Sequence, residues 1–129
     1  MTRINVVPVE ELCNQHLYAE FRELTRVPNM INSGKLKTEY RDAPIEYTLG
    51  TGHVKFWVDK LLYLKNRYDK LHSELIHRGY SVTYIWPESL PKYAVFNDYS
   101  PTENALKINR ARIQERLPKN ASWSQVKSK

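Results

Sequence analysis

Apolar residues near the start of the chain recur every three or four positions. Val9, Leu12, Cys13, Leu17, Phe21 and Leu24 fall on one face of a helix drawn from Pro8 to Leu24, because residues so spaced share a side at 3.6 residues per turn. Pro8 suits the first helical turn, where its missing N–H had no partner to lose. The stripe reads as core. The other side carries Gln15, Ala19, Arg22, Glu23 and Arg26. Gln15, Ala19 and Glu23 step by four and Glu23 and Arg26 by three, so they lie together. Ala19 is small enough for a ligand to approach the helix closely.

The next stretch, PNMINSGKLKTEYRDAPIEYTLG, mixes Pro, Asn, Ser, Gly and charge and reads as a long loop. Helical spacing returns from Gly52 to Arg78 through Val54, Trp57, Val58, Leu61, Leu64, Tyr68, Leu71 and Leu75, and Gly79 supplies a stop. Lys60, Lys65, Arg67 and Lys70 are assigned to the outside of this helix, where charge is usually solvated. YSVTYIW has strand-forming residues without an obvious partner and reads as an extended connector. PESLPKYAVFNDY reads as a Pro-rich loop. A third helix begins in SPTENALKINRARIQERL, with Ser100 and Glu103 as a capping box and Pro101 at the first helical position. Ala105, Ile108, Ile113 and Leu117 form its apolar face; Lys107, Arg110, Arg112 and Arg116 occupy the others. In the tail PKNASWSQVKSK only Trp123 is expected to anchor. One all-α domain of three main helices, covering residues 1–129, is the expected architecture.

Length agrees: 129 residues suit one domain with a real core. Charge adds a partner class. Twenty Lys and Arg against 14 Asp and Glu give +6, with a pI near 9.4. A basic surplus fits a polyanion, and nine tyrosines beside cations suit base stacking as well as a core. The lone Cys13 excludes an internal disulfide and a Cys-rich metal site, and points to a reducing compartment. No stretch reaches the roughly 18 apolar residues of a membrane span, and no signal peptide is expected. The cytoplasm is the expected location.

Familiar catalytic constellations are absent from the pattern. His16, His53, His72 and His77 lack tight ligand spacing with carboxylates, so no zinc site is expected. GTGH is too short for a phosphate-cradling glycine loop, and nothing points to a Ser/His/Asp triad. Cys13 lies on the apolar face, packed rather than reactive. The remaining candidate is the N-terminus. Met followed by a small residue invites initiator removal, which would leave Thr2 first. An α-amine titrates at about 7.7–8.0, well below lysine, so a useful fraction is neutral and nucleophilic near pH 7. Arg3 and Arg22 would lower it further by disfavouring the ammonium. Such an amine can form a Schiff base with a sugar carbon. A carboxylate must then move protons and stabilise positive charge, and Glu23 is the natural choice. An Arg–Glu–Arg helix face is also the pattern of a surface ion network, and the residues by themselves leave both readings open.

Longer motifs bear on the choice. MTRIN opens the chain; ELCNQHLYAEFREL follows with QHL and AE-aromatic-REL intact, then Arg26-Val27. LGTGHVKFWVDKLLYLKNR carries G-x-GHV-x-F and DKL, and ARIQERL is followed by Trp123. In these stretches the sequence resembles the phage endonuclease V family, pyrimidine-dimer DNA glycosylases with abasic-site lyase activity. The resemblance implies a compact all-α fold whose extended N-terminal segment lies between helices. It implies that the Thr2 α-amine attacks the anomeric carbon, the glycosidic bond breaks, and β-elimination from a Schiff base cuts the strand. Glu23 would be the essential acid. Arg3, Arg22 and Arg26 would hold phosphates, Gln15 and His16 would line the site, and Arg112 and Arg116 would contact DNA. The implied partner is double-stranded DNA containing pyrimidine dimers or abasic sites, acted on by a monomer without metal or organic cofactor. A phage-encoded protein would work in the host cytoplasm.

The chain departs from the family pattern in the loop NMINSGKLK, at Thr25 where Pro is usual, and after Trp123, where SQVKSK replaces a tyrosine-rich end associated with lesion recognition. Tyr18, Tyr40, Tyr47 and Tyr93 are candidates to compensate. Other readings are an abasic-site lyase, a glycosylase for other damaged bases, and a non-enzymatic nucleic-acid-binding protein of the same fold.

Overall fold

The computed structural model describes residues 3–36 and 43–123. The first apolar stripe is buried as expected, but its helix is broken. A 3-10 turn spans Val9–Glu11, and helix α1 runs over Asn14–Leu24. Leu12 and Cys13 between them are extended, with ψ 138° and 164°. The buried guanidinium of Arg78 explains the break. Its Nη1 donates to the Leu12 carbonyl at 2.7 Å and to Asn14 Oδ1 at 3.0 Å, its Nη2 to the Glu10 carbonyl at 3.3 Å, and its Nε to Glu74 at 2.8 Å. These carbonyls serve a cation rather than the N–H groups four residues on, so α1 starts at Asn14 instead of Pro8. The Asn14 N–H is capped from far along the chain, by the Ser122 carbonyl at 2.6 Å.

Part of the expected loop is helical. Helix α2 covers Arg26–Asn32 and buries Val27, Pro28 and Ile31. Pro28 falls in its first turn, where proline is tolerated. The next expected helix is also divided, into α3 (His53–Phe56) and α4 (Leu61–His77). Here the 95–97 segment intervenes. The Leu61 N–H donates to the Val95 carbonyl at 3.2 Å and the Tyr63 N–H to the Asn97 carbonyl at 3.3 Å, giving the start of α4 acceptors outside the helix. Trp57, wholly buried in the break, stacks on Tyr63 and meets Phe56, Tyr99 and Tyr47 edge-on. Gly79, with φ 94°, ends α4 as the sequence indicates.

Residues 80–86 form an extended connector without a paired strand. Helix α5 spans Glu103–Glu115. Its cap is Thr102, whose hydroxyl accepts from the Ala105 N–H at 3.0 Å; the expected cap, Ser100, and Pro101 both lie ahead of the helix. Trp123 anchors as expected, donating from Nε1 to the Glu11 carbonyl at 2.9 Å. Arg67 is a correction. Instead of decorating the outside of α4 it is buried against Glu20 of α1.

Helices α1 and α4 pack face to face, with Phe21 stacked on Tyr68 at 4.7 Å. Among the described residues the fold is all-α, with Lys60 and Phe96 forming an isolated bridge. Ile4, Asn5, Val6 and Val7 form an extended segment inside it, all buried.

Candidate active site

A buried extended segment must satisfy its backbone groups without a sheet. Side chains from several elements do so here. His53 Nε2 accepts the Ile4 N–H at 2.8 Å, and Tyr47 donates its hydroxyl to the Ile4 carbonyl at 3.0 Å. Asn109 Oδ1 accepts from the Val6 and Val7 N–H groups at 2.6 and 3.2 Å. Arg67 donates to the Val7 carbonyl. The segment's own Asn5 joins this network, donating to Glu20 and accepting from Asn109, both at 2.8 Å. Glu20 in turn accepts from Arg67 Nε and Nη2 at 2.8 and 3.0 Å, a forked pair with both side chains almost wholly buried.

The segment leads into a cleft. Arg3 lines a cavity of about 320 Å³ together with His16, Ala19, Glu23 and Arg116, and Asn5, Glu20 and Ile113 also contribute to its wall. A second cavity of about 330 Å³ is formed by Ala19, Arg22, Glu23 and Arg26. Ala19 and Glu23 belong to both, so the small residue and the carboxylate stand where the two hollows adjoin. Glu23 lies 3.5 Å from Arg26. The spacing of Ala19 and Glu23 on α1 was enough to bring them together.

The field around this carboxylate is cationic. Burial lowers the Arg3 pKa below the usual arginine value, and Arg112 and Arg116 add to the effect by repulsion. Arg3 still carries its charge, but Arg112 on α5 and Arg116 just past its end stand within its electrostatic reach. Arg112 also lies 3.9 Å from Glu115. Arg22 stands 5.7 Å from the ring centre of Tyr18, which itself stacks on Tyr80.

The other expected site residues divide. Gln15 donates to the Asn120 carbonyl at 3.0 Å and lines neither cavity, because the segment after α5 folds back onto it. His16 does line the first cavity, with Nε2 3.2 Å from the Arg116 carbonyl. Thr2 and Tyr40 lie outside the described residues. Tyr47 is committed to the core: burial raises its pKa far above the phenol value, so its hydroxyl stays a donor to Ile4. Tyr93 donates to the Ile31 carbonyl at 3.2 Å but keeps 55% of its surface exposed, and Tyr18 keeps 38%.

Sequence reasoning missed His53, Glu20, Arg67 and Asn109. His53 appeared as part of the GHV motif without a role, and the last three left a signal of their own. Glu20 falls at helical spacing among Leu17 and Leu24, Arg67 among Leu64 and Leu71, and Asn109 among Ala105 and Ile113. A charge or amide inside an apolar stripe implies a buried partner. Among the described residues, no three His, Cys, Asp or Glu side chains gather as a metal site would require, and no helix is long and apolar enough to cross a membrane.

The family model described as pyrimidine dimer DNA glycosylase matches residues 1–88 of the chain. The matched region runs through α4 and holds the segment, its clamps on α3 and α4, and Glu23; α5 lies beyond it.

Proposed function

Because the chain belongs to the pyrimidine dimer DNA glycosylase family, we propose that it excises UV-type pyrimidine dimers with the α-amine of Thr2 and then cuts the strand at the resulting site. The observation that carries this reading is that Arg3 and Glu23 line one cavity. Thr2 is bonded to Arg3, and covalent reach keeps its nitrogen within about 7 Å of the Ile4 nitrogen. Ile4 is held at both its N–H and its carbonyl.

In this reading the neutral amine attacks C1′ of the damaged nucleotide, and the glycosidic electron pair leaves with the base. Loss of the amine proton and opening of the sugar ring give a Schiff base. Removal of a C2′ proton then expels the 3′ phosphate, which cuts the strand. Glu23 moves the protons and stabilises the cationic intermediates. Arg3, Arg22, Arg26 and Arg116 surround it and suit phosphates, which position the duplex without reading sequence. Arg112 adds positive charge from α5. A nucleophile directed at the sugar needs the nucleotide drawn out of the stack, and a dimer that pairs poorly lowers that cost.

Protein that keeps Met1 tests the chemistry. The extra residue moves the amine by about 3.5 Å, more than a hydrogen-bond length, while Ile4 stays clamped. Dimer-duplex binding is expected to persist and single-turnover cleavage to vanish. Cleavage at the unmodified rate would exclude the Thr2 amine as nucleophile.

A further inference from the structure

His53 does not touch the cavity, yet it grips the segment that leads into it. Its ring has one arrangement that satisfies both neighbours. The Thr48 carbonyl, 2.8 Å from Nδ1, can only accept, and the Ile4 N–H, 2.8 Å from Nε2, can only donate. Nδ1 therefore carries the hydrogen and Nε2 the lone pair. The ring is almost wholly buried, with Tyr47 and Trp57 edge-on to it. Gly52, just before it, has φ 91°, and a Cβ there would lie 2.8 Å from the Pro44 side chain. The backbone just before the ring is thus tightly placed.

We propose that His53 is a positioning residue for the reaction: by accepting the Ile4 N–H it fixes the depth and direction in which Arg3 leaves the core toward the cavity it shares with Glu23, and so limits where an amine bonded to Arg3 can reach. The inference rests on the Thr2 amine reading. Tyr47 holds the carbonyl of the same residue, so Ile4 can neither slide nor rotate while both bonds stand. Reacting groups misplaced by about 1 Å lose roughly 10²-fold in rate, and a loosened segment would permit at least that.

The geometry has a consequence in pH. Protonation would put a hydrogen on Nε2 facing the Ile4 N–H, turning an acceptor into a second donor. Among the described residues, the charged groups that act on the ring are Arg3 of the segment and Glu20 of α1, with the Thr48 carbonyl at Nδ1 and the Tyr47 phenol ring edge-on. Burial lowers the His53 pKa, Arg3 lowers it further, and the Thr48 carbonyl and Glu20 oppose. The clamp's contribution is complete above the ordinary histidine value of about 6.5 and is lost as pH falls through the lowered folded value.

The test is single-turnover cleavage of an abasic duplex across pH by the full chain, His53→Leu and His53→Gln, with duplex binding titrated in parallel. His53→Leu removes the acceptor and is expected to slow cleavage about 10²-fold with affinity within about threefold. The Gln amide can accept from Ile4 and donate to Thr48, and is expected to restore the rate at pH 7 to within about tenfold. On the acid side the wild type should steepen below the His53 pKa, beyond the single-proton slope of the amine, and His53→Gln should not. His16 is present in all three proteins and cancels from the comparison. If His53→Leu fails to fold, the slope of His53→Gln decides. An unchanged rate in His53→Leu, or an acid limb in His53→Gln as steep as the wild type's, would overturn the positioning role while leaving the amine chemistry intact. A wild type that binds the abasic duplex but never cuts it would remove both.

Discussion

Glu23→Gln is expected to bind a dimer-containing duplex like the wild type and to cut it at least about 10²-fold more slowly, with losses near 10⁴-fold within range. The substitution keeps the size and shape of the side chain and removes only its charge and its capacity to take a proton. Glu23 sits where two cavities adjoin, beside Ala19 on the helix turn before it. Among the described residues its carboxylate pairs with Arg26, at 3.5 Å with both side chains partly exposed. An exposed pair of this kind contributes about 0–1 kcal/mol, so the fold does not depend on it. In the proposed function binding rests on the surrounding arginines, and losing one negative charge among them should if anything tighten phosphate contact. Gel-shift titration and single-turnover cleavage on the same duplex separate the two effects. Unchanged cleavage would mean that another group moves the protons.

The second large effect concerns stability. Arg67→Met is expected to lower the unfolding free energy by about 3–5 kcal/mol, because it leaves a buried carboxylate without its cation. Burial works against the Arg67 charge, but Glu20 outweighs it and holds the pKa above the usual arginine value. Glu20 is 2% exposed and, among the described residues, would keep the Asn5 amide alone. The Val7 carbonyl would lose its donor as well. Converting the carboxylate too, in Glu20→Gln/Arg67→Met, should recover part of the loss, since the cost lies in the unpaired charge more than in the missing bond. Urea unfolding of the three variants checks this. A loss below about 1 kcal/mol for Arg67→Met would place the pair among interactions that solvent can replace.

These two residues also mark where the sequence stops being readable. Period alone found the apolar stripes of α1 and α4, and it grouped Ala19 with Glu23 on one side of α1, where both line the cavities. It could not find the break before Asn14, since the cause is Arg78, remote in the chain, taking the Glu10 and Leu12 carbonyls. The break before Leu61 has the same character, with acceptors supplied by Val95 and Asn97. Local spacing contains no trace of either. Arg67 was legible in part: its spacing from Leu64 and Leu71 sets it on the inner face, but its charge argued for the outside. Gln15 shows the reverse case. It shares a face with Glu23 by spacing, yet the segment after α5 returns to occupy its amide. His53 stood inside the G-x-GHV-x-F motif, but its role was not legible there, because a ring that clamps a backbone amide looks in sequence like any other histidine.

The most direct measurement is borohydride trapping of the mature protein on duplexes carrying one thymine dimer or one abasic site, followed by mapping of the crosslinked peptide. A covalent product on both duplexes, with the DNA attached at the Thr2 nitrogen, is the expected result. Trapping on the abasic duplex alone would keep the amine chemistry and contradict dimer excision. Attachment at a lysine, or no covalent product on either duplex, would contradict the amine mechanism itself.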